Sequence, residues 1–424
     1  MCRFPPEISI AIFALLPPRD LPSVIRLSTT FRDIGQFLLY QSIDLKSDSV
    51  HIQSTVFLLQ HDTELAKNIR DATLTTRHSS TTSWIPPNFL DGWNNLRSLK
   101  MSGVPFCTSK DQEVFRDNLM SSCTSLERFT YRPGANPFPG LDFGIAGLKR
   151  LSWQTEKESM FPIVAILTMF ELNLHIVQAP LETQIISIMK SSTKTLTHIS
   201  FTGHLSLLQP TCYYDFLDLR FPLLTSLELG SLFNTASQEL SNTAITQFII
   251  AHPSINHLSL GNLRIGSASF QFDGNHLSED SLPNLRSFEG FPINITLLVQ
   301  CNVRSLLELT ALSLFLDLNN LSLTEMFEMV KTRLGSLGRG HLPCVRNLRF
   351  EFHTDLSHQM ETHLSDLTHR KWIDGFSEIC PAVVNWYGIL GPVNRVSLNS
   401  QACLVVESFI FCLLGSFSKY IPPL

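Results

Sequence analysis

Leu224-Thr225-Ser226-Leu227-Glu228-Leu229, LTSLEL, carries a pattern that returns through most of this 424-residue chain. An apolar residue is followed by two variable positions, a second apolar residue, one variable position and a third apolar residue. Alternation of Leu227 and Leu229 around Glu228 sends two leucines to one face of a strand and the glutamate to the other. The phrase recurs as LRSLKM from Leu96, LERFTY from Leu126, LKRLSW from Leu148 and LTHISF from Leu196. It continues as INHLSL from Ile255, LRSFEG from Leu285, LTALSL from Leu309 and VRNLRF from Val345. A proline stands two residues before the first apolar position at Pro222, Pro253, Pro283, Pro343 and Pro381. Their separations are 31, 30, 60 and 38 residues, so the 60 is two units, with Leu309 opening the one that lacks its proline. A self-similar period near 30 residues is a solenoid signature.

Helical patterns fill the intervals. Ser241 is placed to cap a helix in which Ala244, Ile245, Phe248 and Ile249 share a face, ending near His252-Pro253. Ser322-Leu323-Thr324-Glu325 has capping-box spacing ahead of Met326, Phe327 and Val330. Each unit is a strand plus a helix, and neither apolar face closes without its neighbours. Stacking predicts an α/β solenoid, a curved parallel sheet with outer helices. The period slips twice: residues 154–195 hold one irregular unit, its strand expected near Leu172–Ile176, and residues 350–382 an overlong one.

Ahead of the repeats, residues 4–43 read FPPEISIAIFALLPPRDLPSVIRLSTTFRDIGQFLLYQSI. Ile8, Ile12, Leu15 and Leu16 share one helical face. Pro17-Pro18 stops that helix, since proline lacks the amide proton and disfavours helical geometry in the residue before it. Asp20 is a candidate N-cap for a second helix through Val24, Ile25 and Leu27. Ser28-Thr29-Thr30 breaks the chain again before a third helix, Phe31 to Tyr40. A unit this short cannot bury so much apolar surface by itself. It needs a partner.

Phe4-Pro5-Pro6-Glu7-Ile8, Ile12, Leu16, Asp20-Leu21 and Ser28-Thr29-Thr30-Phe31 give this stretch its likeness: it resembles the F-box, the helical module that docks on the Skp-family adaptor of cullin-RING ubiquitin ligases. Phe4 stands where the family has leucine. The resemblance covers about a tenth of the chain and implies that Phe4, Pro5, Ile8, Ile12, Leu15, Leu16 and Leu21 face the adaptor. Residues 69–390 resemble the degenerate leucine-rich repeats that follow the F-box in many fungal F-box proteins, where a His-Pro-x-Leu-like step leads into each strand. The family's Asn/Cys ladder position is not recognisable. The organisation so implied is an F-box-like helical module over 3–45, a connecting helix or linker over 46–68, a leucine-rich-repeat solenoid over 69–395 and an apolar C-terminal cap or tail over 396–424. The implied role is target recognition in an SCF-type ubiquitin ligase. A repeat scaffold without ligase function has the same architecture and is the alternative.

Hydrophobic residues make up 44% of the chain and charged residues only 16%, well below the roughly 25% of an average soluble domain. That describes much buried surface and a sparsely charged exterior. A net charge of −5 gives no reason to expect nucleic acid or a membrane as partner. The nine cysteines are scattered singly with no C-x-x-C pair, which suits reduced thiols in the cytoplasm or nucleus. Met1-Cys2-Arg3 leads into the helical run rather than into a signal peptide, so the sequons at Asn294 and Asn320 carry little weight. Ala402 to Phe417 is strongly apolar but contains Glu407 and falls short of the roughly twenty residues of a membrane span. It is expected to pack as a last helix or strand.

No set of residues points to catalysis. His353, His358, His363 and His369 do not share a helix face, and no cysteine or carboxylate completes a zinc set. Leu334 to Gly340 is glycine-rich but lacks the Lys-Ser/Thr of a P-loop. Pro133 to Gly140 is a breaker-rich loop, and no G-x-S-x-G elbow exists. The chain is therefore read as no enzyme, with no cofactor and no metal. Recognition remains. The strand positions flanking each central apolar residue give Lys100, Arg128, Arg150, His198, Glu228, His257, Glu289 and Arg349 as the target-binding candidates. Early repeats are basic, supported by Arg97 and Lys149, and later ones carry Glu228 and Glu289. That order predicts an acidic segment of an unknown target protein over the early repeats.

Overall fold

The structure is a computed structural model that describes residues 6–16, 20–76, 84–103, 109–132, 147–155, 167–174, 179–203, 215–230, 242–261, 263–265, 268–317, 332, 342–353, 376 and 379–387. The chain forms two compact units, Met1–His276 and Leu277–Leu424.

The first unit opens with α1 (Pro6–Ala14), α2 (Leu21–Val24) and α3 (Thr29–Leu39). Asp20 makes no side-chain capping bond to α2, contrary to expectation. The functioning cap is Ser28, whose hydroxyl accepts from the Phe31 amide at 3.0 Å, so that Thr29 and Thr30 begin α3 rather than interrupt it. Phe13, Leu21 and Ile34 form the centre of this module, with Ile10, Leu16, Val24, Phe31, Leu38 and Leu39 packed around them. The rings of Phe13 and Phe31 meet edge-on at 5.1 Å. Gly35 is buried on α3, and a β-carbon there would run into Cγ2 of Ile25. Gly35→Ala is therefore expected to force α2 off α3 and cost about 1–3 kcal/mol, as overpacking does. Amide exchange across residues 20–40 reads that loss directly.

Nine parallel strands follow in strict sequence order. They are β1 (Ser42–Lys46), β2 (Asp71–Thr75), β3 (Ser98–Ser102), β4 (Arg128–Arg132), β5 (Arg150–Thr155), β6 (Met169–Leu174), β7 (His198–Gly203), β8 (Ser226–Leu229) and β9 (His257–Ser259). The ladder aligns Ser42, Asp71, Ser98, Arg128, Arg150, Met169, His198, Ser226 and His257 as direct partners. Each is the third residue of its phrase, so no unit slips in register. A one-residue slip would turn every strand leucine to solvent.

Two expectations are corrected. The sheet begins at Ser42, inside the segment assigned to the helical module and well before residue 69, because YQSIDL from Tyr40 is itself a version of the phrase. The strand of the irregular unit, β6, spans Met169–Leu174 within LTMFEL from Leu167, so it overlaps the expected Leu172–Ile176 but starts three residues earlier.

Connecting segments cover the leucine-bearing face. They include α4 (Ile52–His61), α5 (Thr63–Ala66), α6 (Ser109–Ser122), α7 (Ala179–Ser191) and α8 (Asn242–Ile250). Beyond β9 comes a small antiparallel pair, β10 (Arg264–Ile265) with β11 (Ala268–Ser269). An aromatic chain ties strands to helices: Phe170 meets Phe201 at 5.9 Å, Phe201 meets Phe216 at 5.4 Å, and Phe216 meets Phe248 of α8 at 4.7 Å. At the end of α8, buried His252 links two units. Its Nδ1 lies 2.7 Å from the Phe248 carbonyl, and its Nε2 accepts the Phe221 amide at 3.0 Å. Those partners fix the neutral tautomer with the proton on Nδ1, and burial pushes its pKa below the ordinary imidazole value.

A ladder of threonines runs beside the strands. The hydroxyls of Thr168, Thr197 and Thr225 each donate, at 3.0 Å, to the carbonyl of the residue one unit earlier, Lys149, Thr168 and Thr197 respectively. These are second positions of consecutive phrases, where side-chain bonds add to the backbone ladder.

The second unit repeats the scheme with β12 (Ser287–Gly290), β13 (Ala311–Asp317), β14 (Asn347–His353) and β15 (Asn385–Tyr387), all parallel. Here α9 (Pro292–Gln300) starts on a proline and buries Ile295, Leu298 and Val299. Thr310 repeats the hydroxyl bond, to Arg286 O at 3.0 Å. The expected helix after Ser322, the glycine-rich stretch 334–340, the loop 133–140, His358, His363, His369 and the apolar tail 396–424 lie outside the described residues.

Candidate functional site

The first candidate surface is on α1. Ile8 and Ile12 on α1 and Leu15 in the turn that closes it are spaced i, i+4 and i+7 and are 46%, 45% and 85% exposed, an apolar stripe on the outer side. Phe13 and Ile10 occupy the inner side. Leu27, in the turn before α3, is also exposed, which the sequence did not signal. The other expected adaptor residues lie elsewhere. Leu21 is 5% exposed, because the first residue of the short α2 fills the space against Phe13 and Ile34. Leu16 is partly buried against the same cluster. These two hold the stripe in place rather than belong to it. Phe4 and Pro5 lie outside the described residues.

The second surface is the face of the first unit's sheet opposite the leucines. In β3 the residues alternate, with Leu99 and Met101 buried and Ser98, Lys100 and Ser102 not. In β4 Phe129 and Tyr131 are buried, while Arg128, Thr130 and Arg132 are not. Lys100, Arg128, Arg150, His198, Glu228 and His257 all stand at these outward positions. Arg128 is the direct ladder partner of Arg150. Within the second unit, Glu289, Ser313 and Arg349 form one row across β12, β13 and β14.

The charges on this face are sorted. Arg128 reaches over Ser98 to Asp71, Nη2 to Oδ1 3.0 Å. At the strand entries Lys149 donates to Glu127 at 2.7 Å and holds its carboxyl below the ordinary range. Farther along, His198 Nε2 lies 3.7 Å from Glu171 Oε1, and the Ser200 hydroxyl donates to Glu228 Oε2 at 2.6 Å. Burial lowers the pKa of His257, against a smaller opposing pull from Glu228 and a smaller push from His198 in the same direction. The sequence missed Glu171 because the strand of its unit was set too late, and Arg132 because it falls one position past the phrase.

Among the described residues no group of three His, Cys, Asp or Glu is placed to hold a metal ion, and no helix is long and apolar enough to cross a membrane. Cys123 and Cys380 are free, buried thiols pushed up to about 12 by burial. Such thiols are poor nucleophiles at neutral pH.

No family model matches this sequence, and no curated protein is recognisably similar to it. Among solved structures, the crystal structure of the Rad7 and Elc1 complex in yeast includes a chain similar to this one at a TM-score of 0.40 and 12% identity, covering 92% of this chain and 91% of that chain.

Proposed function

We propose that this protein is a non-catalytic substrate receptor of an SCF-type cullin-RING ubiquitin ligase, in which α1 binds a Skp-family adaptor and the repeats bind a target protein. The observation that carries the reading is the stripe of Ile8, Ile12 and Leu15, exposed together with Leu27 on a module whose core is built from Phe13, Leu21 and Ile34. The stripe falls on the helix that begins within the F-box-like motif Phe4-Pro5-Pro6-Glu7-Ile8. A module this small gains nothing for its own stability by exposing two isoleucines and a leucine, whereas burial against a partner is worth roughly 1.5–3 kcal/mol for each such side chain. The regular strand register supports the second half of the reading, because it gives a partner protein a continuous row of outward side chains.

In this reading the units are leucine-rich repeats, four of which carry at the second phrase position a threonine whose hydroxyl bonds the preceding unit. Ligase activity, in this reading, belongs to the proteins that assemble on the adaptor, and the site of action is the cytoplasm or nucleus. Affinity purification of the full chain from cells, followed by mass spectrometry, tests the assembly. Recovery of adaptor, cullin and RING subunits together is the expected result. Recovery of other proteins with none of these three favours the scaffold reading.

A further inference from the structure

We propose that the outward face of β3–β5 holds a segment rich in aspartate and glutamate from a partner protein, laid across the strands. This rests on the receptor reading for the premise that the face meets a target, and it names the target's chemistry.

Four exposed cations rise from these three strands: Lys100, Arg128, Arg132 and Arg150. The other outward residues are short or neutral, Ser98, Ser102, Thr130, Ser152 and Gln154, and none is acidic. The cations therefore stand above their neighbours and have no carboxylate on their own strands. One carboxylate reaches in from β2, where Asp71 holds Arg128 at 3.0 Å. Both side chains of that pair are about half exposed, 48% and 45%. Solvent screens such a pair and it contributes little, so a partner's carboxylate can take the place of Asp71.

The patch has defined borders. On one side Asp44 of β1 is paired with Lys46 at 2.7 Å and Asp71 of β2 with Arg128, and on the other stand Glu171 and Glu228 of β6 and β8. Glu171 and Glu228 repel an acidic segment on their side, and the unpaired positive charge lies on three strands, about 10 Å at the usual strand spacing. Along the strands the cations spread over about 13 Å, from Arg128 and Arg150 at the third phrase position to Arg132 at the seventh. A single phosphate is held by donors converging on one point. Charges dispersed in this way match several separate carboxylates instead, which selects Asp and Glu over one phosphorylated side chain.

The test is fluorescence anisotropy of the full-length chain with a labelled Glu-Ser repeat peptide, alongside a Lys-Ser repeat peptide and a phosphoserine peptide. Binding of the Glu-Ser peptide is expected at low ionic strength, weakening as salt screens the charges. Lys100→Glu with Arg150→Glu should lower affinity about tenfold or more, since like charges across an interface are strongly unfavourable. Glu171→Gln should leave it equal or raise it. Should the double reversal disturb folding, seen by circular dichroism, Lys100→Gln with Arg150→Gln serves in its place, with a loss of about threefold or more. Affinity unchanged within about twofold in the folded variant overturns the proposal, as does equal binding of the Lys-Ser peptide. A phosphoserine peptide bound about tenfold more tightly than the Glu-Ser peptide also overturns it. Adaptor capture by the same variants is expected to be unchanged. Peptide binding by a chain that captures no adaptor overturns the ligase reading and leaves this one standing.

Discussion

Phe248→Ala is expected to destabilise the first unit by about 3–5 kcal/mol, the usual range for removing a fully buried aromatic side chain. The ring joins several others. It packs on Phe216 at 4.7 Å, on Phe221 at 6.5 Å and on the His252 imidazole at 4.5 Å, and Phe216 in turn meets Phe201 of β7. Removing it detaches α8 from the sheet, and a helix of nine residues has little stability of its own. In a repeat array such a defect acts on its neighbours first. Amide exchange should therefore accelerate in β8, α8 and β9 before it does in β1 to β4, and the urea midpoint should fall. A loss below about 1 kcal/mol would mean that the aromatic chain is not what ties helix to strand.

His252→Ala is expected to cost about 3 kcal/mol by a different route, leaving the buried Phe221 amide without an acceptor and the Phe248 carbonyl without its side-chain donor. The histidine also makes stability depend on pH. Its pKa in the folded state lies below the ordinary imidazole value of about 6.5 because burial disfavours the charged form. As pH falls through that value the unfolded chain takes up the proton first. The contribution is thus whole above about 6.5 and diminishes as pH drops toward the folded-state pKa. His257, shifted the same way, adds to the slope. Denaturation midpoints measured from pH 8 to pH 5 should fall for the wild type and fall less steeply for the variant. Parallel profiles would remove His252 as a source of the pH dependence.

Much of this architecture was legible because one physical rule repeats. Period-two alternation over LTSLEL fixes which side of the strand is buried, and the same alternation fixes the register of the strand beside it. Nine phrases found in the sequence each contain a strand of the structure. LTMFEL at Leu167 was missed because Phe170 stands at the central position and the strand was anchored on the later leucines. YQSIDL at Tyr40 was missed because an aromatic residue opens it directly after a helix. The threonine ladder was hidden for another reason: threonine at a strand entry reads as ordinary β propensity, and its bonds to the preceding unit exist only once the units are stacked.

On the helical module, spacing identified the outer stripe of Ile8, Ile12 and Leu15 correctly as one face. Leu16 and Leu21 could not be separated from it by sequence. Their direction depends on where α2 and α3 pack, and that is decided by Gly35 allowing close approach to Ile25. The charge pattern of the sheet face was legible except at Glu171 and Arg132. What was not legible was the pairing of Arg128 with Asp71 from two strands away, which requires the register and the small Ser98 between them.

Titration calorimetry of the purified full-length chain with a purified Skp-family adaptor asks whether the exposed stripe is a binding surface. A one-to-one complex is expected, lost when Ile12 and Leu15 are both changed to Asp, since buried apolar anchors cost roughly 2 kcal/mol or more each when truncated. The doubly substituted chain should remain folded, because both side chains already face outward. No heat of binding from the wild type, or equal affinity in a folded Ile12→Asp, Leu15→Asp chain, would contradict that role.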